Sequence, residues 1–402
     1  MTDSPDHRFA ARTETLAVRT ALLLISTLTV MAGATLAPSL PAMRVHFAQV
    51  PGADYWVRLA LTLPALLIAL SAPIVGVAID RLGRKPLLLV ALVVYGLAGS
   101  SGFYLDSLPM ILLGRALLGV SVAGIMTTAT TLIADYYRGS ARAAFLGIQA
   151  GFMGLGGVAF LSVGGWLAEI NWRWPFLIYG SALLLVPLVL GVLPEPPAPM
   201  ANLVGEAQRE ELTPFPVQLV FLTYGVAVLT QAVFYLIPTQ LPFYLQTLVQ
   251  ASPSQSGLAI ALTTLLSAVS AILYRSVKAR LDFVAIYALA FANMAVGYGL
   301  ISAGERFGVI LVGLAITGVG LGLLMPNMNL CLTSVTPDAL RGRVLSGITT
   351  SVFLGQFLSP LLSQPLSQGI GIDQTFAVAA GLMALVTVGA VLLRGQWPRD
   401  PA

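Results

Sequence analysis

Charge is what this sequence lacks most. Of its 402 residues only 9% are Asp, Glu, Lys or Arg, against about a quarter in a soluble globular chain. So few charges cannot clothe a water-facing surface of this size. Histidine is nearly absent as well: His7 lies in the amino-terminal tail and His46 beside the first apolar run. Phosphoryl, acyl or proteolytic chemistry needs paired acids, a histidine cluster or a nucleophile beside a base. None can be assembled here, so an enzyme is not expected. The lone cysteine, Cys331, excludes an internal disulfide and a cysteine-based zinc site. No basic patch is present to hold a nucleic acid, nothing calls for a cofactor, and no soluble stretch is long enough for a receptor's sensing domain. Met1 to Arg19 lacks the compact apolar core of a cleaved signal, so no processing is expected.

Apolar sequence fills the chain instead, at 57% of residues and a mean hydropathy of +0.87. Membrane-length runs cover Thr20–Leu40, Tyr55–Ile79, Leu87–Tyr104, Leu108–Ala134, Ala144–Ala168 and Trp174–Leu193. A second set covers Val217–Leu241, Ser256–Leu273, Phe283–Ser302, Gly308–Thr333, Val344–Ser367 and Gln374–Leu393. Only helices and closed barrels satisfy the backbone in lipid, and runs this continuously apolar are not barrel strands. The fold class is therefore an all-α integral membrane protein of about 12 helices, with lipid as its solvent.

Basic residues set the orientation. With both termini inside, Arg8, Arg12, Arg19, Arg81, Arg84, Lys85, Arg138, Arg142, Arg209, Arg275, Lys278, Arg280, Arg341, Arg343, Arg394 and Arg399 fall on the cytoplasmic side. Arg44, Arg58, Arg173 and Arg306 face outward, and Arg115 lies within a span. Sixteen against four, with one over, accounts for all 21 Lys and Arg and orients a multi-pass protein of a bacterial-type inner membrane. Tyr55, Trp56, Trp172 and Trp174 fall where interfacial anchors sit.

The pattern breaks once, at 194–216, where prolines stiffen the exit from the sixth run and charged residues follow as a solvated linker. That divides the chain into 1–193, the linker 194–216, and 217–402. The halves echo each other: Gly119, Val120 and Met126 recur as Gly318, Val319 and Met325 at an offset of 199, and Gly147 and Ile148 recur as Gly347 and Ile348 at 200.

The most specific stretch is Gly76-Val-Ala-Ile-Asp80-Arg81-Leu-Gly83-Arg84-Lys85-Pro86. It is a tight basic turn between two spans, with Gly83 free to take a left-handed position and Pro86 opening the next helix. It resembles the loop between helices two and three of the major facilitator superfamily, written G-x-x-x-D-R-x-G-R-[RK], at every fixed position. The resemblance implies two six-helix bundles related as a parallel repeat, with a small-molecule substrate bound between them at the midplane. It implies a secondary transporter working by alternating access, and a monomer is expected.

The twelve-span drug:proton antiporter branch adds finer resemblances. Arg115-Ala-Leu-Leu-Gly119 matches the R-x-x-x-G element of the fourth helix, whose arginine the branch links to proton coupling. A guanidinium at that depth either faces a cavity or a partner, or snorkels to the surface. Asp135 and Arg138 would join Asp80 and Arg84 in an inner-rim charge cluster. The family's loop aspartate also caps helix eleven, announced here by Thr336-Pro337-Asp338. Helix five departs from the branch. Gly151, Gly154, Gly156 and Gly157 are followed by Phe160-Leu161-Ser162-Val163-Gly164-Gly165, so the usual Gly-Pro is Phe160-Leu161; Gly151, Gly154, Gly164 and Gly165 remain available for close packing.

No Asp or Glu lies deep in any run, so coupling to protons would use the rim or Arg115, or be absent. Thr27, Gln149, Gln231, Tyr235, Asn327 and Gln356 are candidates to line a central cavity, though such groups also bond neighbouring helices. With Arg115 they suit a hydrophobic or weakly anionic organic molecule. Export of a drug or metabolite is one reading; import or facilitated passage of a metabolite, organic anion or metal chelate is the other. Met325, Met328 and Cys331 share a broad helical face that could ligate Cu(I), though methionine is also ordinary packing material. If Asp80 latches the cytoplasmic gate, Asp80→Asn raises the reactivity of a cysteine placed in the cavity from one side and lowers it from the other. An unchanged balance contradicts the latch.

Overall fold

The computed structural model describes residues 13–196 and 216–393. Arg8, Arg12, Arg209, Arg394, Arg399 and most of the linker lie outside the described residues, as does the side chain of Asp338. Among the described residues there are helices and no strand, and twelve helices have the length and apolarity to cross a bilayer. The first six are α1 (Leu16–His46), α2 (Ala53–Leu82), α3 (Arg84–Tyr104), α4 (Leu108–Tyr136), α5 (Gly139–Ile170) and α6 (Pro175–Val192). The second six are α7 (Val217–Val249), α8 (Pro253–Lys278), α9 (Phe283–Ala303), α10 (Phe307–Val335), α11 (Leu340–Ile370) and α12 (Ile372–Leu392).

Each apolar run is found as a helix, and most helices outlast their runs because helical hydrogen bonding does not stop where the side chains turn polar. α1 continues past Leu40 to His46 through a 3-10 turn at Ala37–Ser39. Pro38 and Pro41 sit in first-turn positions, where a missing N–H costs nothing. α8 begins at Pro253, ahead of the expected Ser256, because Ser252 and Gln255 form a capping box.

Internal repetition is visible in the packing. A Cβ on Gly119 of α4 would lie 2.4 Å from the Pro64 carbonyl oxygen of α2, and one on Gly318 of α10 would lie 2.5 Å from that of Thr263 of α8. Both partners repeat at 199, the offset that relates the two glycines. α1 and α7 also break at matching places: regular helix stops at Ala34 in one and at Phe234 in the other.

Contact between the halves is concentrated toward one end. The end carrying Leu16, Leu392 and the loops at Gly83, Arg138 and Arg280 is here the basic face. Toward the opposite face, α5 crosses α8 with backbone in contact: a Cβ on Gly165 would lie 2.9 Å from Pro253 O, and one on Gly257 would lie 2.6 Å from Leu161 O. Toward the basic face the same side of the halves is open. A Cβ on Gly76 of α2, Gly147 or Gly151 of α5, or Gly342 of α11 would meet nothing within 4 Å. The bundle is closed opposite the basic face and splayed at it.

Gly257→Val is expected to lower the apparent melting temperature of the purified protein by several degrees. Overpacking of this kind costs about 1–3 kcal/mol, and the atoms it meets, Leu161 O and Gly165 Cα, are backbone. Gly342→Val, on the open end, is expected to leave it unchanged.

Candidate functional site

The charged loop between α2 and α3 folds as its sequence suggests. Gly83 takes φ +88°, a left-handed value that favours glycine. Arg84 reaches across to α4, its Nε donating to Asp135 Oδ2 at 3.3 Å. Asp80, Arg81 and Arg138 are exposed, and none forms an ion pair among the described residues. The expected four-residue cluster is thus one pair, Arg84–Asp135, because the open basic face leaves the other side chains in solvent.

A residue assigned to the solvated linker completes this corner. Glu195 accepts from the backbone N–H groups of Arg84 and Lys85, both at 2.7 Å, and so caps α3 with a carboxylate. Lys85 Nζ donates to Leu190 O at 2.8 Å, binding the end of α6 to the same turn. Nearby, burial pushes the Tyr137 phenol above its usual range, and its hydroxyl donates to Thr13 O at 3.0 Å. The Leu-Pro-Glu-Pro exit from α6 was the available signal: a proline-held acid at a helix end is well placed to cap a neighbour.

At mid-depth the interrupted helices come together. The Tyr235 hydroxyl, at the break in α7, packs on Gly33, just before the break in α1, where a Cβ would lie 2.8 Å away. Beside them is Arg115, with no exposed surface at all, so it does not snorkel to either face. Its Nε donates to Ala60 O and its Nη2 to Ala32 O, both at 2.8 Å. These two carbonyls are special. Ala60 lies four residues before Pro64, which has no N–H to close that helical ring. Ala32 lies in the last turn before the break in α1, where carbonyls lack an intrahelical donor. The guanidinium therefore satisfies oxygens that the sequence itself leaves open. The Tyr179 ring lies against it, 4.9 Å from Cζ. Nη1 has no partner among the described residues.

The other candidates divide into ties and linings. Gln149 donates to Ser26 Oγ at 2.7 Å, tying α5 to α1. Thr27 donates to Leu24 O, and its methyl packs on Gly156. Asn327 is fully buried and joins α8, α9 and α10, accepting from the Tyr274 hydroxyl and donating to Phe283 O. Gln231 borders a small niche with Thr230, Met325, Met328 and Val352, and its Oε1 and the Thr230 hydroxyl are buried without partners among the described residues. Cys331 is buried and does not line that niche, so the three sulfur residues are not gathered on one cavity. Gln356 is half-buried on α11. Of the α5 glycines, Gly164 packs on Thr35 O, Gly165 on α8 and Gly154 on Ala268, while Gly151 touches nothing.

Between the halves, on the side of the basic face, lies a cavity of about 390 Å³. Ile68, Ala69, Ala72 and Pro73 of α2 line it with Met126 of α4 and Phe353 of α11. Thr127, Thr130, Thr131, Ser346, Thr349 and Thr350 supply its polar groups, and no charged side chain lines it. These hydroxyls belong to a part of α4 and α11 that the sequence alone did not single out. Their signal is the pairing of Thr-Thr steps in the two halves, Thr127-Thr128, Thr130-Thr131 and Thr349-Thr350. A second residue missed is Arg58. It is not on the outer surface with the other outward arginines but 4% exposed, inside α2 and against the second half.

Arg115→Met keeps the volume and removes the donors, leaving Ala60 O open and Ala32 O with only the long bond from the Tyr179 hydroxyl at 3.4 Å. It is expected to cost about 2–4 kcal/mol, at roughly 1–3 per unmade partner. Arg115→Lys, which keeps the charge without the fork, is expected to fall between Met and wild type. Thermal unfolding of the purified variants is the measurement.

The Major Facilitator Superfamily model matches residues 22–273 and 220–402. Tetracycline resistance protein, class B, of Escherichia coli is 33% identical over 176 residues, which are 42% of each chain. Multidrug transporter protein MdtP of Bacillus subtilis is 29% identical over 124 residues, 31% of this chain and 22% of that one. The matched segments therefore span less than half of these relatives. Among solved structures, a bacterial homolog of the human lysosomal transporter Spinster, inward-facing and occupied, aligns with TM-score 0.77 at 17% identity, covering 96% of this chain and 98% of that one. The inward-open xylose transporter XylE of E. coli aligns with TM-score 0.76 at 13% identity, covering 96% and 97%. With its twelve helices in two bundles and a family match over nearly its whole length, the chain belongs to the major facilitator superfamily.

Proposed function

We propose that this transporter exports a hydrophobic organic molecule, neutral or weakly anionic, across a bacterial cytoplasmic membrane by alternating access. The observation that carries the reading is the uncharged cavity between the halves, apolar except for hydroxyls and placed on the side of the basic face. A multiply charged solute would shed hydration there with no counter-charge to replace it. The basic face is taken as cytoplasmic by the excess of Lys and Arg, so the splayed end would open to the cell interior, where an exporter loads. A relative named as a multidrug transporter, MdtP, and one named for tetracycline resistance favour export.

Deeper in, the Thr230 hydroxyl and Gln231 Oε1 are buried beside the midplane niche without partners among the described residues. The niche is closed to water here, so a solute carrying a donor would satisfy them only after the surrounding helices move apart. Arg115 adds no charge to the cavity walls in this conformation, so an anionic solute would meet it only on rearrangement. Coupling to protons is proposed to run through the rim acids Asp80 and Asp135 or through Arg115, with the protein acting as a monomer.

Everted membrane vesicles energised with a proton gradient are expected to take up tetracycline or an apolar fluorescent dye and to lose it when a protonophore is added. Thr130→Arg, which puts a charge into the cavity wall, is expected to cut uptake at least tenfold with the melting temperature unchanged. Accumulation only in right-side-out vesicles would make the protein an importer.

A further inference from the structure

Opposite the basic face, a buried polar chain crosses from one half to the other. Arg58, in the second turn of α2, points its guanidinium at Gln240 of α7: Nε and Nη2 both donate to Gln240 Oε1, at 3.2 and 3.1 Å. The amide nitrogen of Gln240 then donates to Ser363 Oγ at 3.1 Å and to Gln364 Oε1 at 3.2 Å, both on α11. One glutamine thus uses both ends of its amide, accepting twice from the first half and donating twice within the second. Its orientation is not free. A guanidinium has donors only, so the oxygen must face Arg58 and the nitrogen must face α11.

Burial makes this chain consequential. Gln240 has no exposed surface, and Arg58, Ser363 and Gln364 are each 4% exposed or less. The charge is held on the N-half side by its own helix: Arg58 Nη1 donates to Asp54 O at 2.9 Å and lies 3.8 Å from Asp54 Oδ1. Asp54 in turn accepts from Arg44 Nε at 2.9 Å. The face of the guanidinium is covered by the Phe243 ring of α7, 3.9 Å from Cζ to the centroid. No side-chain nitrogen or oxygen of Arg58, Gln240, Ser363 or Gln364 is buried without a partner among the described residues while this end is shut. When α2 draws away from α7, Arg58 keeps Asp54 and gains water, whereas the two bonds to Gln240 and the ring contact are lost together.

We propose that Arg58, Gln240 and Gln364 form a latch that holds the transporter shut at the face opposite the basic one, and that its strength sets how often that face opens. Arg58 and Gln240 act as positioning residues for the transport cycle and touch no solute in this role. The inference rests on the alternating-access reading, since a latch has meaning only if the halves separate. Charge-assisted hydrogen bonds of this kind shift such a balance roughly tenfold.

Substitutions at Gln240 act in opposite directions, which separates a latch from a merely structural residue. Gln240→Leu keeps the bulk and removes the bonds. Gln240→Glu sets a carboxylate against Arg58 and still accepts from the Ser363 hydroxyl, while Gln364 can turn its amide nitrogen inward. The measurement is the distance between spin labels on the exposed positions Glu169 and Gln246, in full-length protein with Cys331→Ser, reconstituted in lipid. Arg58→Ala and Gln240→Leu are expected to enrich the long-distance population roughly tenfold over the parent, and Gln240→Glu to deplete it. If the population changes with added tetracycline or pH but none of the three variants moves it, or if Leu and Glu move it the same way, the latch is wrong and rocking stands. A single unvarying distance in all proteins and conditions would overturn both.

Discussion

Lipid offers no partner to an open backbone group, and most of this structure follows from that constraint. Twelve spans are helical because helices close their own hydrogen bonds. Where the sequence breaks a helix, something must answer the exposed oxygens. Pro64 opens the Ala60 carbonyl and the interruption of α1 opens that of Ala32; Arg115 of α4 answers both. A charge that would be costly in the bilayer is stable here because it meets two carbonyls that helix breaks expose, of which Ala60 O has no other side-chain donor among the described residues. One side chain thus joins three helices of the first half around the place where α1 and α7 break and touch.

That junction links packing to movement. Glycines let α4 and α10 press backbone to backbone on α2 and α8 at matching positions, making each half a firm unit. Contact between the halves is concentrated at one end, through the α5–α8 crossing and the Arg58–Gln240 chain. At the other end the corner formed by Glu195, Arg84 and Asp135 joins the first half to the start of the linker and takes nothing from the second half. Asp80 is solvent-exposed there and forms no ion pair among the described residues.

Much of this was legible beforehand, and the reasons are specific. Apolar runs mark helices because bilayer thickness fixes their length, and the loop at Gly76–Pro86 carries a pattern too specific to arise by charge bias alone. The repeat showed as an offset, and the packing of Gly119 and Gly318 gives it physical content. Burial of Arg58 was hidden because a residue four positions into a span reads as interfacial, and only the neighbouring half decides whether water reaches it. Glu195 was hidden because capping depends on a turn more than a hundred positions away in sequence. Hydroxyls of α4 and α11 line one cavity only once the halves are placed together, which no single span encodes.

The structure shows two halves joined at one end and parted at the other, and the proposed transport cycle has them exchange these conditions to move a solute. Its most direct test is the distance between labels at the basic-face ends of α2 and α11, at Leu82 and Gly342, in lipid bilayers with and without a transported drug. The account predicts a long and a short population whose ratio changes with the drug, the short one growing as the opposite face opens. A single fixed separation, unaffected by drug, would contradict it.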